Sequence, residues 1–198
     1  MRSVIALLAG FVSLLAPVAA SAAIIAYSAA LSGANENPPN SSAGTGTTTI
    51  TVDTTASTLR FEAMWSGLTS NTVDAHLHCC AATTANAGVA IGFGAFLPAM
   101  PSPMGSIDQI VDLAAAGTYN AAFLAANGGT ASSAMAALLM GLANGLGYTN
   151  IHSAEIPSGE LRGNLEGVNP IPLPAAAWLF LAGAGVLAAR QRQKVLTA

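Results

Sequence analysis

The stretch GTTTITVDTTASTLRFEAMW, residues 46–65, decides the fold class. In its first half Ile50 and Val52 alternate with threonine, and in its second half apolar side chains recur at every second position from Leu59 onward. A period of two, with β-branched and aromatic residues, is typical of half-buried strands. The polar TTAS at 54–57 separates the two halves, so the stretch predicts an antiparallel hairpin.

The same pattern extends through most of the central region. Four further segments predict short strands: VDAHLH (73–78), GVAIGF (88–93), YTNIH (148–152) and GELRGNL (159–165). Residues 130–145 have a helical pattern that begins at a Thr or Ser cap and ends at Gly145. The Gly- and Pro-rich segment 93–106 predicts a long loop. We therefore expect an all-β protein, an antiparallel β-sandwich with one short helix.

The distribution of charge excludes one class of function. Of the 198 residues 53% are hydrophobic and only 8% are charged, where soluble domains have roughly 25%. Residues 23–168 hold two basic and nine acidic residues, a net charge of −7. A nucleic-acid binder needs a basic patch that displaces counterions, and we expect no nucleic-acid partner for this region.

Both ends of the chain have the composition of targeting segments. At the N-terminus one arginine precedes an apolar run and a cluster of small residues, which predicts a signal peptide over 1–22, cleaved after Ala22; an uncleaved anchor is the alternative. At the C-terminus the segment from Ile171 to Ala189 is uncharged and just long enough to span a membrane, and three basic residues follow. The positive-inside rule puts that tail in the cytoplasm; a buried core helix is the alternative.

The C-terminal segment, 169–198, also resembles a known sorting signal. IPLPAAAWLF (171–180) is similar to the VPLPA variant of the bacterial PEP-CTERM class, with Ile171 in place of the usual valine. The resemblance implies an exosortase-type transpeptidase as a partner, which removes the helix and passes the protein to the envelope. We expect the domain to lie outside the cytoplasm, anchored by the helix at first and then at the cell surface or extracellular.

Side-chain alternation puts functional groups on one face of three predicted strands. These groups are Asp74, His76 and His78; Tyr148, Asn150 and His152; and Glu160, Arg162 and Asn164. If the three strands are neighbours in one sheet, all three histidines of the chain converge with Glu160 and Arg162.

Three motifs in this region resemble the CHRD (chordin) domain. They are LSGANENPP (31–39), AHLH (75–78) and YTNIHSAEIPSGELRG (148–163). The resemblance implies a CHRD-type domain over 23–168 with an immunoglobulin-like β-sandwich, in an exported protein. It implies no particular reaction, because the family has no settled biochemical activity.

The histidines have two interpretations. His76, His78 and His152 form a set of three nitrogens with an open fourth position, which suits zinc or copper, with Asp74 or Asn150 orienting a ring. Alternatively, Asn150, Glu160 and Arg162 belong to a structural polar network in which Glu160 pairs with Arg162 or with a histidine.

The adjacent Cys79 and Cys80 leave three possibilities open. They bond to each other, or one thiolate joins the histidines as a soft ligand that favours copper(I), or both are plain thiols.

Neither a phosphate-binding loop nor a Ser–His pair supports catalysis, since Ser153 lies on the opposite strand face from His152. We therefore expect a binding or structural surface module with an envelope or matrix partner; the alternative is a copper or zinc protein, with possible redox activity.

Overall fold

A computed structural model describes residues 24–168, which contain nine strands and two α-helices. The strands are β1 (Ile24–Ser32), β2 (Thr45–Asp53), β3 (Thr58–Ser66), β4 (Thr72–Cys79), β5 (Val89–Gly92), β6 (Gly105–Asp112), β7 (Gly147–Ser153), β8 (Leu161–Asn164) and β9 (Glu166–Val168). The helices are α1 (Ala121–Ala126) and α2 (Ala131–Ala143). The signal peptide and the C-terminal sorting segment lie outside the described residues and stay predictions.

The hairpin predicted from residues 46–65 is present as β2 and β3. Ile50 pairs with Phe61 and Val52 with Leu59, and all four side chains are buried. In the turn, Asp53 Oδ1 accepts hydrogen bonds from two backbone N–H groups, at 2.8 and 2.9 Å. Because the alternation buries one face of both strands, a register slip by one residue would expose this apolar set, and the pairing is therefore well specified.

The strands between Ile24 and Val168 form one antiparallel sheet in the order β5-β4-β7-β8-β1-β2-β3-β6, and β9 pairs with β1. The sheet curls into a half-barrel, so that its two halves face each other as in a sandwich. Phe61 of β3 stacks on Phe93, which directly follows β5 at the other end of the strand order, with ring centroids 4.0 Å apart. The all-β prediction is thereby confirmed, although one continuous sheet supplies both layers.

The prediction of a single helix was incomplete. Helix α2 agrees with the predicted segment and begins with a capping box between Thr130 and Ser133. Helix α1 was not predicted, because six residues of alanine, phenylalanine and leucine give no clear period. No segment was predicted for strands β1, β6 and β9. Neither helix within residues 24–168 is long and apolar enough to cross a membrane.

Strands β4, β7 and β8 lie side by side, and their registers align the polar faces. His76 pairs with Asn150 across β4 and β7, and Asn150 pairs with Arg162 across β7 and β8. Asp74 pairs with His152 in the same ladder. Every residue of β7 is buried, so the side chains that it contributes are held on a fixed central strand.

Candidate metal centre

The three histidines meet at one place in the fold. Strand β4 contributes His76 and His78, and β7 contributes His152 near its C-terminal end. One nitrogen of each ring lies within 4.8 Å of those of the other two. His78 and His152 are buried, whereas the side chain of His76 keeps 19% of its surface exposed.

Each imidazole has an outer nitrogen that faces a hydrogen-bond acceptor. The three pairs are His78 Nδ1 with the Ala87 carbonyl oxygen (2.9 Å), His152 Nδ1 with the Pro157 carbonyl oxygen (2.9 Å) and His76 Nε2 with Asp74 Oδ2 (3.1 Å). A carbonyl or carboxylate oxygen only accepts hydrogen bonds, so each outer nitrogen carries the ring proton. These contacts fix the tautomer of all three rings.

The inner nitrogens face one another and one amide oxygen. His76 Nδ1 lies 2.9 Å from His152 Nε2. Asn150 Oδ1 lies 3.0 Å from His78 Nε2 and 2.9 Å from His152 Nε2. Since a neutral imidazole has a single N–H, which the outer contact already uses, these four atoms converge as four lone pairs. A cation satisfies such a group of acceptors.

Burial keeps the inner nitrogens of His78 and His152 free of protons. It lowers the pKa of His78 to about 4, and it also lowers the pKa of His152, despite hydrogen bonds that favour the charged forms. Both rings are therefore neutral near pH 7.

Glu36 lies behind Asn150, away from the histidines. Burial raises the pKa of this carboxyl to about 7, although the charge of Arg162 and the nearby Asn150 side chain oppose that rise. A Cβ on Gly159 would lie 2.6 Å from Asn150 Nδ2 and 2.7 Å from Glu36 Oε1, so these two groups occupy the space that a side chain there would fill. Gly159 also has φ +127°, which favours glycine.

Three separate motifs of the sequence thus build one site: LSGANENPP contributes Glu36, AHLH contributes two histidines, and the last motif contributes Asn150, His152 and Gly159. The CHRD domain family model matches residues 27–165. The chain belongs to the CHRD domain family. A search of curated proteins and a search of solved structures each found no match.

Arg162 supports the histidine site of this CHRD domain from one side. Its guanidinium carbon lies 3.6 Å from the centre of the Tyr148 ring, which stacks on His78 with centroids 4.6 Å apart. The fully buried guanidinium donates to four acceptors: Asn164 Oδ1 (3.1 Å), Asn86 Oδ1 (3.0 Å) and the carbonyl oxygens of Thr83 and Ala85 (both 3.1 Å). Arg162 therefore holds the loop whose Ala87 carbonyl orients His78.

Glu160 does not join the histidines or pair with Arg162, which corrects the expectation from alternation. Its carboxylate accepts hydrogen bonds from Ser42 Oγ (2.6 Å) and from the backbone N–H and hydroxyl of Thr69 (2.7 and 3.0 Å). Burial alone would raise its pKa, but these bonds and one from Ser153 outweigh burial and lower the pKa. Strand β8 begins at Leu161, so Glu160 precedes the strand and does not follow its alternation.

The cysteines of the CHRD domain form a vicinal disulfide, Cys79–Cys80. Both sulfur atoms pack against Gly141 of α2, where a Cβ would collide with each of them. The prediction of a cysteine ligand beside the histidines is therefore wrong. Both thiols are used in the disulfide and face the helix, and the group of ligand atoms within residues 24–168 consists of the three histidines.

Proposed function

We propose that this protein is an exported, envelope-sorted CHRD-domain module that binds a transition metal ion, zinc or copper, through His76, His78 and His152. The observation that carries the proposal is the inner cluster of four lone pairs, three ring nitrogens and Asn150 Oδ1, at contact distances of 2.9–3.0 Å. Acceptors that face acceptors in a buried place are unfavourable unless a cation lies between them.

The alternative, a purely structural polar network, explains the inner contacts less well. A structural network stabilises a fold by pairing donors with acceptors. Here the three ring protons all point outward, to Ala87, Pro157 and Asp74. Outer partners of this kind, a carboxylate and backbone carbonyls, are those that orient metal-ligating histidines.

The size of the cluster suits a first-row transition metal. Bonds of about 2.0–2.1 Å from zinc to nitrogen place tetrahedral ligand atoms roughly 3.3–3.4 Å apart. The inner nitrogens span distances from 2.9 Å to within 4.8 Å, so shifts of about an ångström in side chains would complete the geometry. Imidazole ligands suit zinc and copper.

The proposal places this site outside the cytoplasm. The predicted signal peptide over 1–22 and the sorting signal over 169–198 support export, recognition by an exosortase-type transpeptidase and transfer from the membrane to the cell surface. A disulfide such as Cys79–Cys80 persists in an oxidising compartment. The immunoglobulin-like relationship of the sandwich and a binding role towards an envelope or matrix partner belong to the same proposal, whereas a nucleic-acid partner does not.

Metal content tests the proposal directly. The full chain would be expressed in a host that exports it, purified from the envelope fraction without chelators, and analysed for zinc and copper by elemental mass spectrometry. We expect about one ion per chain, and a loss of that ion in His152→Ala because two nitrogens bind far more weakly than three.

A matched control separates this site from the acidic surface. Glu62→Gln and Asp108→Asn remove exposed carboxylates on β3 and β6, on strands that carry no histidine, and both variants should keep the full metal content. Wild-type protein without metal, or equal metal in wild type and His152→Ala, would contradict the proposal.

A further inference from the structure

We infer that Asn150 Oδ1 is the fourth ligand of this metal, that Glu36 is the positioning residue that turns this oxygen towards the histidines, and that the site therefore selects a divalent ion over copper(I). This inference rests on the proposed function. It assigns a role to Glu36, which the sequence shows only as part of the motif LSGANENPP.

The orientation of the Asn150 amide follows from its two neighbours. One end of the amide lies 2.9–3.0 Å from two histidine nitrogens, which carry lone pairs. The other end, Nδ2, lies with Glu36 Oε1 beside Gly159, and this buried oxygen has no hydrogen-bond partner among residues 24–168. Burial raises the pKa of the Glu36 carboxyl, and the Asn150 side chain opposes that rise. An ionised carboxylate only accepts hydrogen bonds and therefore pairs with the NH₂ end, which agrees with Nδ2 beside Glu36 Oε1 and Oδ1 beside the histidines.

Gly159 makes the contact between the amide and the carboxyl possible. The space beside its Cα holds Asn150 Nδ2 and Glu36 Oε1, and a Cβ there would be closer to both than side chains tolerate. A substitution at 159 would therefore push the two groups apart without touching a histidine. Substitution of either Glu36 or Gly159 should therefore separate the Asn150 amide from the carboxyl that orients it.

The backbone of Asn150 gives its oxygen a fixed direction. The residue lies in the middle of β7, between His76 on β4 and Arg162 on β8, and it is 3% exposed. An oxygen that is held 2.9–3.0 Å from two ligand nitrogens already lies close to the separation of adjacent ligands around one ion. It needs a shift of only a few tenths of an ångström to coordinate.

The resulting set of three nitrogens and one carbonyl oxygen decides the class of metal. Carbonyl oxygen is a hard ligand and imidazole is a borderline one, so the set suits zinc(II) or copper(II). Copper(I) prefers thiolate or thioether sulfur, and both cysteines are joined in the disulfide that packs on Gly141. We therefore expect a divalent ion in the exported protein.

Cobalt(II) is the probe for the fourth ligand, because its visible spectrum reports coordination number and donor type. The full chain would be loaded with cobalt(II), and zinc(II) affinity would be measured by competition. Glu36→Met removes the acceptor and frees the amide, so we expect an altered cobalt spectrum and a 10- to 100-fold loss of zinc affinity, the usual effect of losing such a partner. Glu36→Gln keeps an acceptor oxygen in place and should retain the wild-type spectrum and affinity.

Asn150→Ala and Asn150→Asp complete the design. The first removes the oxygen ligand and should reproduce the spectrum of Glu36→Met, whereas the second keeps an oxygen there and should hold the metal. If Glu36→Met does not fold, Gly159→Ala releases the amide from the opposite side and gives the same readout.

The outcomes separate the two proposals. If the wild-type chain binds neither cobalt(II) nor zinc(II), the metal function itself fails. If the wild type binds both, but Glu36→Met and Asn150→Ala keep its spectrum and affinity, only the fourth-ligand inference is overturned. Tighter binding of copper(I) than of zinc(II) to the disulfide-bonded chain would likewise overturn the selectivity.

Discussion

The substitution His152→Ala should destabilise the protein much more in the presence of zinc than in its absence. Without metal, the change removes one hydrogen bond to the Pro157 carbonyl and leaves that acceptor unpaired. It also relieves the contacts of the His152 lone pair with His76 and Asn150. The expected net cost in a chelating buffer is therefore at most about 2 kcal/mol.

With zinc the cost is larger, because wild-type protein gains binding free energy that the variant lacks. At a free zinc concentration 1,000 times the dissociation constant, this gain is about 4 kcal/mol. For a domain of this size each kcal/mol shifts the melting temperature by roughly 2–4 °C, so zinc should raise the wild-type melting temperature by about 8–16 °C. The same zinc should leave His152→Ala nearly unchanged.

Thermal unfolding of both proteins, in zinc and in chelator, measures all four values. The Glu62→Gln variant serves as a control, since its exposed carboxylate lies on β3, a strand that carries no histidine. An equal effect of His152→Ala in zinc and in chelator would refute the metal reasoning, because a structural network loses the same contacts in both buffers.

Three further substitutions test the framework around the site. Arg162→Lys leaves buried acceptors of the loop next to Ala87 unpaired and should lower the free energy of unfolding by about 2–4 kcal/mol in urea titrations. The control Arg60→Lys, at an exposed arginine, should change the free energy of unfolding little. Equal effects of the two substitutions would contradict the role of the buried Arg162 guanidinium. Phe61→Ala removes the ring that joins the two halves of the curled sheet and should cost about 3–5 kcal/mol by the same titration. A cost below about 1 kcal/mol would argue against the curled sheet. Gly141→Ala should cost about 1–3 kcal/mol in the oxidised protein, because the new Cβ meets both disulfide sulfurs. Gly117→Ala should be tolerated, because a Cβ there has open space. A larger cost for Gly117→Ala than for Gly141→Ala would place the disulfide elsewhere.

The sequence by itself determined most of the strands and the faces of their side chains. Whether Ile50 and Phe61 point inward follows from alternation within each strand, because successive side chains of a strand point to opposite faces. For the same reason His76 and His78 could be placed on one face before any pairing was known. The motifs also indicated the CHRD family, which the match to residues 27–165 shows.

Only the tertiary structure decided which faces meet. The pairing of β4 with β7 joins residues 68 to 81 positions apart, and the local pattern of neither strand specifies that pairing. Glu160 was misplaced because the alternation was extended to one residue before the start of β8, and Glu36 was missed because it lies in a loop with no period.

The tautomers of the histidines depended on the fold most strongly. Two of the three outer protons are directed by the carbonyl oxygens of Ala87 and Pro157, which are backbone atoms of loops. Every residue has a carbonyl oxygen, so the sequence contains no signal for which carbonyl will face an imidazole. The direction of those protons, and with it the lone pairs that converge on Asn150, is therefore a property of the folded chain alone.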